Sequence, residues 1–376
     1  AQKEVNYLVK EFECKKSADS YARASTARTG VLDCSKLHTY KHNEDLFKKV
    51  TIVPDGKNHG LIFILDWSGS MSDCILDTVK QLFNLIWFCN KVNIPYDVYA
   101  FTNNYVKENI NDIVGDWEDM KHQDVREDLF CIAPSFSMMQ LLTSNVKKKD
   151  VEQQMKNIWR IVWHFNHYCD YNVPSNFNLS GTPLNEAIAC LHTIIPEFKK
   201  NRGVQKVHTV ILSDGEANTL PYFVKYRDYK GDERLGLNNI KEAFLRNRKT
   251  GHTYKLDRSY TGFTNTLLQD LRVVFPDVNF IGIRLCAPRD IRSFIRHYES
   301  DCREVERKLK RDKSYAIKTS GYHSYFAMLT AALSNEVDFD VAEGATKTQI
   351  KNAFAKNLKA KALNKKVLSQ FMDLVC

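Results

Sequence analysis

The stretch GLIFILDWSGS, residues 60–70, decides the fold. Its first half, LIFIL, is a short unbroken apolar run rich in branched side chains. A strand with one wet face alternates apolar and polar residues. A strand covered on both faces does not, and such strands belong to parallel sheets held between helices. Two more runs of this kind follow, VHTVIL at 207–212 and VNFIGIRL at 278–285. YDVYAFT at 96–102 is expected as a strand beside them, and YFAML at 325–329 as a last strand or the start of a helix.

Helical texture fills the intervals. Residues 77–92 are apolar nearly all round and too long for a strand, so a helix packed deep against the sheet is expected, ended by Pro95. VEQQMKNIWRIVWHFNHY, 151–168, puts Met155, Ile158, Ile161, Val162 and Phe165 at helical spacing. NLSGTPLNEAIACLHTII, 178–195, opens as a loop and turns into a helix with Pro183 in its first turn. Trp87, Trp159 and Trp163 are expected in the core. Strand and helix alternate, which gives an α/β fold: a doubly wound, mostly parallel sheet with helices on both faces, plus helical insertions and extensions. The expected organisation is an N-terminal extension over 1–57 and a main domain over 58–335. That domain carries insertions at about 103–175 and 216–270, and a basic helical tail follows over 336–376. In the extension, VNYLVKEF at 5–12 reads as a short helix or strand, and VTIV at 50–53 as a strand closed by a Pro-Asp-Gly turn.

The 376 residues suffice for a large core. No apolar run approaches the roughly 18–20 residues that span a bilayer. Ten cysteines without a CxxC pair argue against a zinc ribbon or redox motif. They read instead as small hydrophobes in a reducing cytoplasm. The net charge of +9 is spread along the chain, and its densest run is the seven lysines from Lys347 to Lys366. No nucleic-acid motif accompanies them, so nucleic acid is not the expected partner. The absence of a glycine-rich phosphate loop excludes ATP hydrolysis by this chain. Ser68 sits in no GxSxG turn and makes a poor nucleophile. His164 and His167 lie three apart on a helix, but no third ligand accompanies them.

Three segments sit just after a buried strand or at the mouth of a helix: Asp66-Trp67-Ser68-Gly69-Ser70, Gly181-Thr182-Pro183 and Ser213-Asp214-Gly215. Ligand groups in open parallel sheets gather at the carboxyl ends of strands. Asp66 directly follows LIFIL and Asp214 directly follows VILS, so both carboxylates should leave the same edge. Asp66, Ser68, Ser70, Thr182 and Asp214 together offer only oxygen donors. Such a set suits Mg²⁺, with Mn²⁺ or Ca²⁺ as substitutes, and does not suit Zn²⁺. Taken singly, the serines could cap a helix start and the aspartates could shape turns. The full set after two buried strands points to a metal site. No catalytic residue is assigned.

The order DxSxS, distant Thr, distant Asp resembles the metal-ion-dependent adhesion site of von Willebrand factor A domains. The resemblance implies that Ser68 and Ser70 bind the ion directly, Thr182 and Asp214 directly or through water, and Asp66 through water. It also implies an open coordination position that takes a partner's Asp or Glu. The run from Gly30 to Met71, with a G-x-LD segment and a short apolar strand ahead of DWSGSM, resembles cobaltochelatase CobT-type proteins. Phage-encoded relatives of that family share a lysine-rich tail like AFAKNLKAKALNKKVLSQFMDLV, 353–375. The insertions match no element of the family. The implied role is a Mg²⁺-dependent protein-binding subunit in the cytoplasm, a phage host's if phage-encoded. It would work with a MoxR- or chelatase-type AAA+ ATPase and have no activity of its own. A cobaltochelatase-like metal chelatase component and a structural or adhesive virion protein are the alternatives.

Overall fold

The computed structural model describes residues 58–103, 126–132, 135–167, 173–214, 220–238, 244–256, 261–287, 290–298, 302–312, 314–317 and 321–330, and also Ala217. Nearer the start it describes the strands β1 (Ser25–Leu32) and β2 (Phe47–Ile52) and residues 5, 6, 9, 10, 12, 13 and 41.

Three apolar runs form the middle of one seven-stranded sheet. They are β3 (His59–Asp66), β6 (Lys206–Ser213) and β11 (Val278–Cys286). Between β3 and β6 in the chain come β4 (Tyr96–Asn103) and β5 (Phe136–Thr143). Two hairpins, β7 (Tyr222–Arg227) with β8 (Glu233–Asn238) and β9 (Phe244–Arg246) with β10 (Thr253–Lys255), separate β6 from β11. The sheet closes with β12 (Ser314–Ile317) and β13 (Ser324–Leu329). Its order is β12-β13-β11-β6-β3-β4-β5. All neighbours are parallel except the two edge pairs, β4 with β5 and β12 with β13.

The reason the middle strands lack alternation is visible in β3. Leu61, Phe63 and Leu65 pack into one core cluster, and Ile62 and Ile64 into another on the opposite face. The first face is covered by α1 (Ile75–Val92) and α2 (Lys148–His167). The second is covered by α3 (Leu184–Arg202), α4 (Gly262–Val274), α5 (Ile291–Tyr298) and α6 (Cys302–Asp312). The fold is therefore α/β, doubly wound around a mostly parallel mixed sheet. Left-handed residues end two of the helices, Asn93 at φ 56° after α1 and Gly203 at φ 62° after α3.

Several expectations need adjusting. The region 103–175 holds α2 as expected, but also β5, which joins the main sheet as an antiparallel edge. The insertion at 216–270 is not the helical one expected: its described residues are chiefly the two hairpins, with α4 beginning at its end. YFAML lies in β13, paired parallel to β11. VTIV belongs partly to β2, which pairs antiparallel with β1, and the Pro-Asp-Gly turn lies outside the described residues. Near the start, Val5 and Phe12 are helical and buried, with Phe12 set edge-on to Phe88 at 5.6 Å. The tail at 336–376 is outside the described residues. Trp87 and Trp163 are not core residues: they are 41% and 39% exposed, because α1 and α2 bury one stripe each and leave the other to solvent. Among the described residues no helix is long and apolar enough to cross a membrane.

Candidate metal centre

The chain passes from β3 to β4 on one side of β3, and β6 lies on its other side. That reversal opens a crevice beyond the carboxyl ends of β3 and β6, the place where doubly wound sheets bind ligands. Asp66 is the last residue of β3, and Asp214 follows the last residue of β6. After Asp66 the chain turns through a short 3₁₀ segment, Gly69–Asp73, into α1.

Asp66 is 1% exposed. Its Oδ2 accepts a hydrogen bond from Ser213 Oγ at 2.8 Å. Its Oδ1 is buried and accepts no hydrogen bond of normal geometry. Burial, and then the nearby Asp214 carboxylate, push the Asp66 carboxyl up to about 7; the Ser213 and Ser68 hydroxyls pull the other way. Asp214 is half-buried and also raised, first by burial. The Ser70 hydroxyl and the Arg284 guanidinium oppose that rise.

The serines do not act as caps. Ser68 stands at the N-cap of the 3₁₀ segment but makes no side-chain cap hydrogen bond. Its Oγ lies 3.0 Å from Ser70 Oγ, and Ser70 Oγ donates to Asp214 Oδ1 at 2.9 Å. Ser68, Ser70 and Asp214 thus form a hydrogen-bonded chain beside Asp66. Thr182 arrives by backbone pairing. Ser68 forms a parallel bridge with Ser180, and Gly69 N–H donates to Ser180 O at 2.7 Å. This holds the 180–182 loop against the DxSxS turn, ahead of α3. The Thr182 hydroxyl itself makes no hydrogen bond to the other four residues. Trp67 anchors the turn from behind: its Nε1 donates to Phe177 O at 2.7 Å and its ring meets Phe165 edge-on at 6.2 Å.

Two residues of this centre were missed in the sequence. Ser213 fixes one oxygen of Asp66, and its place just before Asp214 at a strand end was the available signal. Arg284 pairs in register with Ser213 on the neighbouring strand and lowers Asp214 electrostatically; an arginine within an apolar run was its only mark.

A cation-binding role is tested by what the side chains do without one. Asp66 is buried and Asp214 half-buried, both carboxyls are raised, and one Asp66 oxygen is buried with no hydrogen bond of normal geometry. The donors are oxygens only. A hard divalent cation fits that set and would reverse the upward shifts. Among the described residues no three His, Cys, Asp or Glu side chains converge, and the set here combines two carboxylates with hydroxyls.

No protein-family model and no curated protein matches the chain. Among solved structures it is similar to the pilus adhesin SpaC from Lactobacillus rhamnosus GG in its open conformation, with TM-score 0.31, 12% identity, and coverage of 62% of this chain and 24% of the adhesin. A second structure of that adhesin gives TM-score 0.30, 14% identity, and coverage of 61% and 25%. The chain thus spans about a quarter of the length of these structures.

Proposed function

We propose that this chain is a von Willebrand factor A-type binding module in which Asp66, Ser68, Ser70, Thr182 and Asp214 hold one divalent cation, Mg²⁺ by preference. The reading rests on one observation: the buried Asp66 carboxylate, with one oxygen unpartnered, inside a cluster of oxygen donors at the switch point of the sheet. Bound there, the cation supplies an open position for the carboxylate of an incoming protein. The chain's own groups prepare that event. Ser213 orients Asp66, Ser70 and Arg284 keep Asp214 inclined to ionise, and the 180–182 loop brings Thr182 to the rim. The partner reading follows from the resemblance to CobT-type proteins: an AAA+ ATPase of the MoxR or chelatase type, met in the cytoplasm.

Titration of the metal-stripped chain with Mn²⁺, followed by electron paramagnetic resonance, tests the centre. One Mn²⁺ per chain, displaced by Mg²⁺ and lost in Asp214→Asn, is expected. Equal uptake by Asp214→Asn contradicts the assignment. The isolated chain is expected to turn over no nucleotide, ester or peptide. A Mg²⁺-dependent hydrolysis lost in Asp214→Ala would make the centre catalytic instead of a docking point.

A further inference from the structure

The hairpin of β9 and β10 turns a basic face to solvent. Its strands pair Phe244 with Lys255, Leu245 with Tyr254 and Arg246 with Thr253. Side chains alternate across a strand, so the members of each pair face the same way. Leu245 and Tyr254 face inward: both are half-buried, and Leu245 packs against the core on the side of α3 and α4. Phe244, Arg246, Thr253 and Lys255 make the outward face, and all four are exposed. Between Phe244 and Leu256 the sequence has no Asp or Glu, and the next charges outward cancel, Lys241 against Glu242 and Arg258 against Asp257. Among the described residues no ion pair engages Arg246, Arg248, Lys249 or Lys255.

The ribbon is held in shape. Its turn closes at Gly251, at φ 76°, whose N–H donates to Asn247 O at 2.8 Å. Asn247 Oδ1 accepts from the N–H of Lys249 at 2.9 Å and of Thr250 at 3.2 Å. Asn247 Nδ2 donates to both oxygens of the buried Asp270 on α4, at 3.0 and 2.8 Å. One amide thus fixes the turn and ties it to the body. Arg248 and Lys249 stand exposed on that turn, presented without a loop to order on binding.

A row of uncompensated cations fits a polyanion. Phe244 is 69% exposed and lies opposite Lys255 on the same face, so it offers a ring on which an unpaired base can stack. Cations that track a phosphate backbone beside such a ring are the parts of a single-strand seat. A membrane surface fits less well, because the tip from Asn247 to His252 has no apolar residue to insert and Phe244 stands at the base. The expectation against nucleic acid rested on the lack of a sequence motif, whereas this face exists only through strand register.

We propose that the outer face of the β9–β10 ribbon seats single-stranded nucleic acid, with a base stacked on Phe244 and phosphates held by Arg246, Arg248, Lys249 and Lys255. The inference does not depend on the cation at the Asp66 centre.

Fluorescence anisotropy of a labelled thymidine oligonucleotide of about 20 residues, titrated with the full chain in EDTA, is the test. Saturable binding is expected at about 50 mM salt, with log affinity falling against log salt at a slope of about −2 to −3, for about three or four neutralised phosphates. Arg246→Glu with Lys255→Glu should weaken binding at least tenfold, and Phe244→Ala about tenfold, with circular dichroism unchanged. Lys147→Glu with Lys149→Glu makes the same charge change beside α2, on the opposite face of the sheet, and should leave affinity unchanged. Equal losses in the two double variants would reduce the effect to net charge and overturn the proposal, as would no binding. Tighter binding of a duplex of the same length, indifferent to Phe244→Ala, would assign the ribbon to double-stranded nucleic acid instead. Co-sedimentation with phosphatidylserine vesicles, lost in Arg246→Glu with Lys255→Glu while the oligonucleotide fails to bind, would assign it to a membrane surface.

Discussion

Two buried aspartates on adjacent strands meet opposite fates. Asp97, near the start of β4, is 5% exposed and carries its own counter-ion: Arg202, at the end of α3, donates to its Oδ1 at 2.8 Å. Thr143 Oγ1 donates to the same oxygen at 2.7 Å, and Arg202 also reaches Thr143. Asp66, at the far end of β3, is buried as deeply, but Arg284 acts on Asp214 and only opposes its upward shift. Ser213 donates to Asp66 Oδ2, Ser68 and the Asp214 backbone N–H also hold the Asp66 carboxyl down, and its Oδ1 accepts no hydrogen bond of normal geometry. Burying a carboxylate without a partner is expensive. Among the described residues a guanidinium meets Asp97 at one end of the sheet, and no salt bridge meets the equally buried Asp66 at the other, which supports the proposed cation there. On the proposed function, an unsatisfied oxygen and not burial separates the cation ligand Asp66 from the structural Asp97.

The contrast is breakable at several points. Arg202→Ala should have the largest effect, because it strands Asp97 in the core. A loss of about 3–5 kcal/mol is expected for a broken buried pair, read by urea denaturation. A loss under about 1 kcal/mol would mean that Asp97 is solvated and the comparison is false. At the other end, Mg²⁺ should stabilise the folded chain. At a hundred times its dissociation constant the gain is about 2.7 kcal/mol, visible as a rise in the thermal midpoint that EDTA reverses. Asp66→Asn should do the opposite of a core mutation. In EDTA it should leave stability unchanged or raise it by about 1–3 kcal/mol by removing an uncompensated charge, while abolishing the Mg²⁺ response. A destabilised Asp66→Asn would place Asp66 with Asp97 as a structural residue.

A smaller effect comes from the opposite end of the middle strands. His208 is buried on β6, stacked on His59 with ring nitrogens 3.2 Å apart, and burial followed by His59 lowers it to about 3. Its ordinary value is 6.5. Above that, neither the folded nor the unfolded form is charged and the contribution is full. As pH falls below 6.5 only the unfolded form takes the proton, so stability declines by about 1.4 kcal/mol per pH unit. Comparing wild type with His208→Gln at pH 7.5, 6 and 5 isolates this slope. Parallel curves would show that His208 titrates normally.

The middle of the fold was readable because a strand buried on both faces announces itself locally: LIFIL, VHTVIL and FIGIRL need no partner to be recognised. The centre was readable for a related reason, since Asp66 and Asp214 follow such strands directly and topology alone brings them to one edge. Other features depend on distant partners. FSMMQLLT in β5 has neither apolar continuity nor alternation, and becomes a strand only by pairing with β4, with a register shift on the way. The Asp97–Arg202 pair joins residues 105 apart in sequence. Trp87 and Trp163 have the composition of core residues, and only the packing of α1 against α2 turns them outward.

Calorimetric titration of Mg²⁺ into the EDTA-stripped chain tests the central claim most directly, with Asp66→Asn and Asp97→Asn run beside it. One Mg²⁺ per chain is expected in wild type and in whatever fraction of Asp97→Asn remains folded, with none in folded Asp66→Asn. Undiminished Mg²⁺ binding by Asp66→Asn would contradict the account.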